Sequence, residues 1–521
     1  MSKICGLIKN ELIKQYKKSS VKVMIIIILI ASILLPVAIK YFNSRENLNY
    51  YNHDIKWMQQ EIKNIDDSKK NKDIQKSIYD ESIKMTEILE KHNIPWDDWR
   101  INKANEAATK AKEAIILSGI VEGFSGEELL ADLYEFDGSM FTKYFDMTEE
   151  ELQVEVNARI KESKDLYTSV ENNDYLGYLE DSMKEFKIEI EDYKLKIDEL
   201  KKNIEKDPNN KELTISLEEA NLQLTIMEER FQATKYRYEN KILYDNKDWK
   251  SNTIKDIANN IDQKGERLYS ETEFTQYNSY QIANGYTYED YKKDYEGRIT
   301  SIEEAIALDW YSLNNNIPQV DFHEDIRSSV NSTYLIYVSI CILLCIIIGG
   351  GIVSSEYSTG TVRLLIIRPV SRWKIIFSKL AAVFTIGYVV LVSAVIVNIL
   401  TSGILYGFGG LAAKVISYSG GNIVEKNFIM SIIPKLLFSS ISLIFMIALA
   451  FAISTIIKNT ALAVGFTTFA YLGSSPATMV LSSLKMTWIE KTILPYMNLS
   501  TFISNPNYVS SFKQDYNMVL N

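Results

Sequence analysis

Five long apolar stretches divide the chain into membrane-spanning segments and one large polar block. They cover residues 21–42, 332–353, 375–400, 429–457 and 460–481. Each is long enough to cross the hydrocarbon core of a bilayer, which takes about 20 apolar residues in a helix. The first stretch lacks the small-residue cleavage site of a signal peptide, so we expect a retained anchor. The pattern predicts an all-α, polytopic membrane helix bundle, with spans three to five within 375–483.

Basic residues flank these stretches in a way that predicts their orientation. Segment 1–20 is rich in lysine, and the loop at 354–374 carries three arginines. Lys and Arg are retained on the cytoplasmic side during insertion, so both segments are expected inside. The polar block 43–331 and segment 484–521 are then outside. Together with the abundance of Lys, Asn and Ile, this predicts a multi-pass protein of the cytoplasmic (inner) membrane of a bacterium.

The lysine-rich segment 1–20 also has an apolar stripe. Its members share helical spacing: Ile4, Leu7, Ile8, Leu12 and Ile13. This pattern predicts an amphipathic basic helix lying on the inner leaflet. A simple cluster of charges that sets the topology is the alternative, and the sequence leaves both open.

The block 43–331 contains two heptad seams joined by the turn Asp207-Pro208-Asn209-Asn210. Sustained spacing of three and four predicts a mostly helical block with an antiparallel coiled-coil hairpin over about 175–242, a stalk or a docking site. The first seam is Leu176, Leu179, Met183, Phe186, Ile190, Tyr193, Ile197, Leu200 and Ile204. The second is Leu213, Leu217, Ala220, Leu224, Met227, Phe231, Thr234 and Tyr238.

Other features of the block concern its helix starts, aromatic residues and charge. Capping boxes at Ser125–Glu128 and Thr148–Glu151 predict two helix starts. The block has a net charge of −24 and the rest of the chain +14, so the acidic character belongs to the block. A run of tyrosines forms either a recognition surface or the edge of a helical core: Tyr277, Tyr280, Tyr286, Tyr288, Tyr291 and Tyr295.

Sequence signals for chemistry within the chain are few. It has no Gly-x-x-x-x-Gly-Lys-Ser/Thr loop, no Gly-x-Ser-x-Gly elbow and no His-Glu-x-x-His. The three histidines are widely separated, and no basic patch interleaved with aromatics indicates nucleic acid. We therefore expect no enzyme activity, metal site or cofactor on this chain. Lys435, the main ionisable group noted within the spans, either snorkels to the headgroups or contacts an anionic substrate.

The loop after the second span carries the most specific pattern. The run Glu356-Tyr357-Ser358-Thr359-Gly360-Thr361-Val362-Arg363, followed by Arg368-Pro369-Val370-Ser371-Arg372, resembles the corresponding loop of ABC-2-type permeases, the membrane subunits of ATP-binding cassette transporters. In that family this loop couples to a separate ATPase. The resemblance implies coupling roles for Glu356, Thr359, Gly360, Thr361, Arg363, Arg368, Pro369 and Arg372. The arginines could also serve only to set topology or hold lipid phosphates.

The resemblance implies a permease subunit that works as a homo- or heterodimer with a separate ABC ATPase, which holds ATP-Mg. It covers the first helix, the first span and everything from about 333 onward, and some members carry a large insertion where the block lies. The family usually has six spans, so the sequence leads us to expect a truncated chain or a last helix supplied by another chain. Segment 484–521 would lead to that missing sixth span.

Three functions fit these features at this point. The first is export or removal of an amphipathic compound, such as an antimicrobial peptide, by an ABC permease. The second is a non-transporting membrane scaffold or surface receptor, similar to phage receptors and type VII secretion accessory proteins. The third is a sodium-extruding ABC permease. The cytoplasmic loop favours a permease, because a scaffold does not need Glu356, Arg363 and Arg372 at that surface.

Overall fold

A computed structural model describes residues 2–43, 50–66, 68–130, 138–283, 285–358, 360, 371–419, 421–484 and 486–504. Helices dominate this part of the chain. They are α1 (Ser2–Tyr16), α2 (Ser19–Asn43), α3 (Tyr50–Asn64), α4 (Lys72–Lys91), α5 (Trp99–Val121), α6 (Gly126–Leu130), α7 (Glu149–Asn172), α8 (Tyr175–Lys206), α9 (Lys211–Glu239), α10 (Trp249–Gln263), α11 (Glu271–Tyr277), α12 (Ser279–Ala283), α13 (Tyr288–Asn315), α14 (Ile326–Ser358), α15 (Arg372–Tyr406), α16 (Phe428–Ile457), α17 (Thr460–Ser483) and α18 (Ser500–Ser504). Short 3₁₀ helices cover Gly138–Asp146, Gly409–Ala412, Thr487–Lys491 and Pro495–Met497.

Among the described residues, four helices are long and apolar enough to cross a membrane. Their apolar parts are Ser19–Phe42, Ile326–Tyr357, Arg372–Tyr406 and Phe428–Ile457. The chain is therefore a multi-pass membrane protein, and the second and third spans extend beyond their predicted bounds. The predicted fifth span forms helix α17, but this helix is not among the four. Its Thr and Ser content makes it less apolar than the others.

Helix α14 is central among the apolar helices. The buried share of its most apolar stretch is 61%, against 17% for α2, so α14 is enclosed by other helices while α2 leaves most of its surface exposed. One apolar cluster joins side chains of α2, α14, α15, α16 and α17. Any movement of α14 must therefore be accommodated by several of its neighbours, because close-packed interiors have few voids.

The described residues form two compact units. One unit contains residues 43–192 and 230–245, and the other contains 1–42, 193–229 and 246–521. In the first unit α5 packs on both α4 and α7, around an apolar cluster that includes Ile78, Leu117 and Leu129. Both predicted capping boxes are confirmed at the starts of α6 and α7, where the hydroxyl and carboxylate bond reciprocally with the backbone.

The two heptad seams have different outcomes. Along α8 the predicted seam positions are buried or half-buried, for example Leu179, Ile190 and Ile197. Along α9 the predicted seam positions are also buried or half-buried, with Ala220 buried, but the neighbouring Ile226 and Ala233 are buried more deeply than the predicted Met227 and Thr234. Near residues 226–234 the buried face of α9 is thus displaced by one residue from the predicted seam.

The tyrosines predicted as a cluster pack around Phe274, which is buried. The rings of Tyr288 and Tyr291 lie 5.7 and 5.3 Å from that of Phe274. Their hydroxyls bond the backbone of Tyr269: Tyr288 donates to its carbonyl at 2.9 Å, and Tyr291 accepts from its N–H at 3.1 Å. These tyrosines therefore lie at the edge of a helical core. Two members of the set are exposed: Tyr277 and Tyr280.

The connection between the third and fourth spans contains an antiparallel hairpin. Its strands are β1 (Lys414–Ser419) and β2 (Asn422–Asn427). Gly421 takes a φ of +83° at the turn, a conformation that glycine adopts without steric cost. The Tyr311 hydroxyl of α13 donates to Glu425 of this hairpin at 3.0 Å. This hydrogen bond thus connects α13 to the loop between the third and fourth spans.

Arg327, at the start of α14, fixes this junction from inside. Its guanidinium donates to the carbonyls of Pro318 and Lys414 at 3.1 and 3.0 Å and pairs with Asp325 at 2.6 Å. The residue is only 2% exposed. A buried arginine with three acceptors holds the segment before α14 and the first strand together, since its donors would otherwise be unsatisfied.

Candidate functional site

A buried ion-pair network lies at the C-terminal end of α14, where the predicted coupling loop begins. Glu356 Oε1 accepts hydrogen bonds from Lys14 Nζ of α1 and from Lys379 Nζ of α15, both at 2.6 Å. Lys379 Nζ also donates to Glu11 Oε1 of α1 at 3.1 Å. Three helices that are distant in sequence are therefore joined through four charged side chains.

The network is closed to solvent on one side and open on the other. Lys379 is 2% exposed and Glu356 is 5% exposed, whereas the side chain of Lys14 is half exposed. A buried charge costs several kcal/mol to desolvate, so it persists only when a partner compensates it. Glu356 and Lys379 compensate each other, and α1 supplies one further charge of each sign.

The position of α1 follows from this network. The sequence left open whether residues 1–20 form a membrane-surface helix or a topogenic charge cluster. In the structure α1 packs along α15, with Gln15 buried and Tyr16 exposed. Burial lowers the pKa of Lys18, and the nearby positive charges of Lys14 and Lys379 add to the effect. The first helix is thus part of the helix assembly as well as amphipathic.

The predicted coupling residues are only partly within the described chain. Thr359, Thr361, Arg363, Arg368 and Pro369 lie outside the described residues. Gly360 has a φ of +71°, and its N–H bonds the Tyr357 carbonyl at 3.2 Å, so the chain turns there. Arg372 is the first residue of α15 and is exposed. Glu356 lies on a helix and contacts this chain's own lysines.

Small and hydroxylated residues pack α14 closely against α16 and α17 just before the network. The Ser454 hydroxyl of α16 donates to the Gly350 carbonyl at 2.7 Å and accepts from the Ser354 N–H at 3.0 Å. The hydroxyls of Ser354 and Thr460 are 2.7 Å apart. Hydrogen bonds between helices and close approach at glycine are the usual means by which helices associate in lipid.

A second buried polar cluster lies toward the other end of α14 and α15. Asn398 Nδ2 donates to the Thr333 hydroxyl at 2.9 Å, and the Tyr337 hydroxyl donates to Asn398 Oδ1 at 3.3 Å. The hydroxyls of Ser329 and Ser402 are 2.8 Å apart. All five residues are buried. The pairing of α14 with α15 is therefore fixed by polar contacts at two levels.

Lys435, the predicted substrate-path residue, lies on α16 directly after Pro434. It is half-buried, and the acidic group that acts on it electrostatically is Asp321 in the segment before α14. Pro434 lacks an N–H and so removes one helical hydrogen bond near this point. The structure does not bring Lys435 together with Glu356 and Arg372, which belong to the far end of α14 and the start of α15.

Lys379 is the residue that the sequence interpretation missed. It lies within the predicted apolar stretch 375–400, whereas Lys435 is the ionisable residue that the sequence pattern singles out. A single lysine inside 375–400 is itself a signal, because ionisable groups within spans are costly and almost always paired. Glu11, the single acidic residue among the lysines of segment 1–20, is the corresponding signal for its partner.

The matches to known proteins each cover less than half of the chain. The profile of a family described as "Protein of unknown function (DUF2705)" matches residues 305–520, which include Glu356, Lys379 and Lys435. The uncharacterized protein YhcI of Bacillus subtilis strain 168 is 29% identical over 223 residues, which cover 42% of this chain and 69% of that protein. No solved structure matches the chain.

Proposed function

We propose that the chain is the permease subunit of an ABC-2-type transporter, which moves a substrate across the cytoplasmic membrane with ATP hydrolysed by a separate subunit. The observation that carries this proposal is the ion-pair network at Glu356. It lies where the loop resembling the family's coupling loop begins, and it joins that point to α1 and to the third span.

The proposed topology has five spans, with α17 as the fifth. Residues 1–20 and the loop 354–374 are cytoplasmic, and the block 43–331 is outside, in line with the positive-inside rule. In this proposal α8 and α9 form an antiparallel coiled-coil hairpin. Cross-helix contacts support this, since the guanidinium of Arg230 lies 5.7 Å from the ring of Phe186, and Lys187 Nζ lies 5.6 Å from that of Phe231.

The proposed mechanism assigns different roles to the two ends of the loop. Arg363, Arg368 and the exposed Arg372 contact carboxylates of the ATPase, because a guanidinium pairs bidentately with a carboxylate. Glu356 transmits the resulting displacement to α1 and α15. Lys14 and Lys379 either move with Glu356 or lose their contact with its negative charge. A rigid-body switch between inward- and outward-facing states follows from such a displacement.

The proposed partners are one ABC ATPase, which binds ATP-Mg, and a second permease subunit, identical or different. The chain itself supplies no catalytic residue. The proposed cargo is an amphipathic compound such as an antimicrobial peptide, and export is the proposed direction. The large block outside the membrane supports a compound that is handled at the outer surface before or after transport.

The test is co-purification of the tagged chain with a candidate ABC ATPase from the same genome. We expect the wild type to retain the ATPase and the double variant Arg363→Glu, Arg372→Glu to retain at least about tenfold less, since each reversal replaces an attraction by a repulsion. The matched control is Lys292→Glu, Lys293→Glu, a double charge reversal at exposed positions of α13. Equal retention by wild type and the arginine variant would contradict the docking role.

The second arm separates docking from transmission. Glu356→Gln removes the charge that Lys14 and Lys379 share but leaves the arginines unchanged. We expect this variant to bind the ATPase as well as the wild type does, while substrate-stimulated ATP hydrolysis in proteoliposomes falls. Loss of binding with Glu356→Gln would instead make Glu356 a docking residue, and unchanged stimulation would remove it from the mechanism.

A further inference from the structure

Two carboxyl groups face each other between α10 and α13, away from the ion-pair network at Glu356. Asp309 of α13 is 2% exposed, and the neighbouring acid is Asp256 of α10. Gln319 donates from its amide to Asp309 Oδ1. Asp309 Oδ2 is buried and has no hydrogen-bond donor among the described residues. An acid therefore lies in the core of this helix pair with half of its carboxyl unsatisfied.

Two adjacent carboxylates, of which Asp309 is buried and Asp256 half-buried, cannot both be ionised at low cost. Burial disfavours the charged form, and a second negative charge at close range adds to the penalty. Burial, with the charge of Asp256 in addition, raises the pKa of Asp309 to about 8. Asp309 therefore holds a proton next to the carboxyl group of Asp256. The proton also supplies the donor that Oδ2 lacks.

Among the described residues around Asp309, no positively charged group acts on its carboxyl in place of this proton. The charged groups on the surrounding elements include Lys250, Lys255, Asp256 and Asp262 of α10, Asp321, His323, Glu324 and Asp325 of the segment before α14, Arg327 at the start of α14, and Lys414, Glu425 and Lys426 of the hairpin. Among them Asp256 is the group that acts on Asp309. Glu425 pairs with Lys414 and accepts from Tyr311. Asn260 donates to Asp256 Oδ2 at 2.9 Å, which holds that carboxyl in place.

We propose that Asp256 and Asp309 form a proton-binding site that holds α10 against α13 and releases this contact when the proton is lost. The site lies within the region that leads through residues 316–325 into α14. It is independent of the transporter proposal, because it depends only on the packing of α10, α13 and Gln319. The ligand is a proton rather than a metal ion, since Gln319 and Asn260 contact the acids through their donor groups.

The direction of the pH effect follows from linkage. Unfolded or locally opened chains release the proton of an aspartate near pH 4, whereas the closed state keeps it until about pH 8. Between these values opening releases one proton, so each unit of rising pH favours opening by up to about tenfold. Below about pH 4 and above about pH 8 the effect is flat. Stability from this site is present in acid and lost as pH rises.

The test is hydrogen exchange of peptides from α10 and from residues 316–325, measured on the full-length protein in detergent between pH 5 and pH 8. The wild type is compared with Asp309→Asn at each pH, so that the intrinsic exchange rate cancels. We expect the wild-type to variant ratio of opening to rise by up to about tenfold per pH unit. An amide at position 309 is neutral at every pH, so the variant has no proton to lose.

Two further variants complete the experiment. Glu303→Gln changes an exposed acid on the same helix and should follow the wild type. Asp256→Asn should weaken the pH dependence, because it removes the charge that adds to the effect of burial on the pKa of Asp309. This variant keeps the test decisive if Asp309→Asn folds poorly. If the ratio of opening in the wild type to opening in the variant stays constant with pH for both aspartate variants, the proposal is overturned. Protection of α10 by millimolar Ca²⁺ at pH 8 in the wild type alone also overturns it, because the site would then bind a metal ion.

Discussion

At the scale of single residues, three consecutive glycines show how sharply position matters. A Cβ on Gly350 would lie 2.8 Å from a methyl carbon of Val464 and 3.3 Å from its backbone nitrogen. A Cβ on Gly351 would meet the Thr460 methyl at 3.5 Å, an ordinary contact. The sequence presents both as equal members of one run, but only Gly350 lies where α14 approaches α17 most closely.

We predict that Gly350→Ala lowers the stability of the protein by about 1–3 kcal/mol, because overpacking forces backbone or side-chain shifts. Gly351→Ala, the matched control, should stay within about 0.5 kcal/mol of the wild type. Thermal unfolding in detergent, followed by tryptophan fluorescence, measures both. Equal midpoints for the two variants would contradict the close approach of α14 and α17.

The ion-pair network gives the second prediction at this scale. Lys379→Met leaves Glu356 with Lys14 as its partner in the network and removes the lysine that pairs with Glu11. We expect a cost of about 3–5 kcal/mol, since removing one partner of a buried pair strands the other charge. The combined variant Lys379→Met, Glu356→Gln should recover part of this loss. Lys9→Met, at an exposed position of α1, is the control, and a similar loss there would refute the network.

At the scale of elements, helix starts are where local sequence and structure agree best. Four capping boxes begin helices in the described chain, at Ser125, Thr148, Ser270 and Thr287, and the sequence interpretation named the first two. A capping box needs only residues three positions apart, so it can be recognised without tertiary information. The face that a helix buries cannot, as the shift along α9 to Ile226 and Ala233 shows.

We predict that Thr148→Ala destabilises the unit containing α7 by about 1 kcal/mol, because it leaves N–H groups of the first turn unsatisfied. Thr168→Ala, on the same helix at an exposed position, should change stability by a few tenths of that amount. Hydrogen exchange of the first turn of α7 in the intact protein reports the difference. No difference between the two variants would mean that the cap contributes nothing there.

At the scale of the whole molecule, two kinds of sequence occur in one chain. The apolar helices lie in one compact unit with residues 193–229 and 246–325, while residues 43–192 and 230–245 form another. The polar block is therefore divided between two units, although its uniform composition suggested one domain. Part of it belongs with the spans, through contacts such as Tyr311 to Glu425 and Arg327 to Lys414.

The proposed orientation gives a prediction at this scale. Cys5 is exposed, whereas Cys341 and Cys345 are buried, so Cys5 reports on the N-terminal side without further engineering. We expect a membrane-impermeant maleimide to label Cys5 only after cells are permeabilised. In the variant Cys5→Ala, Tyr277→Cys, the exposed position 277 should be labelled in intact cells. The opposite pattern would reverse the proposed topology.

The sequence by itself determined the helical class, the four most apolar helices and two of the caps. These follow from composition and short-range spacing, which act over one or two turns. It also distinguished Glu356, whereas the apolar residues around Lys379 conceal that lysine. The loop that carries the resemblance to ABC-2 permeases lies mainly outside the described residues, so that resemblance stays a prediction.

Only the tertiary structure decided which distant residues meet. Glu11, Lys14, Glu356 and Lys379 come from three helices, and their pairing depends on how those helices cross. The same holds for Asp256 with Asp309, and for the hairpin that receives Tyr311. A pattern along one helix shows which residues share a face, whereas the partner of that face depends on packing. The physical reason is that burial and electrostatic pairing act through space, and no local spacing encodes them.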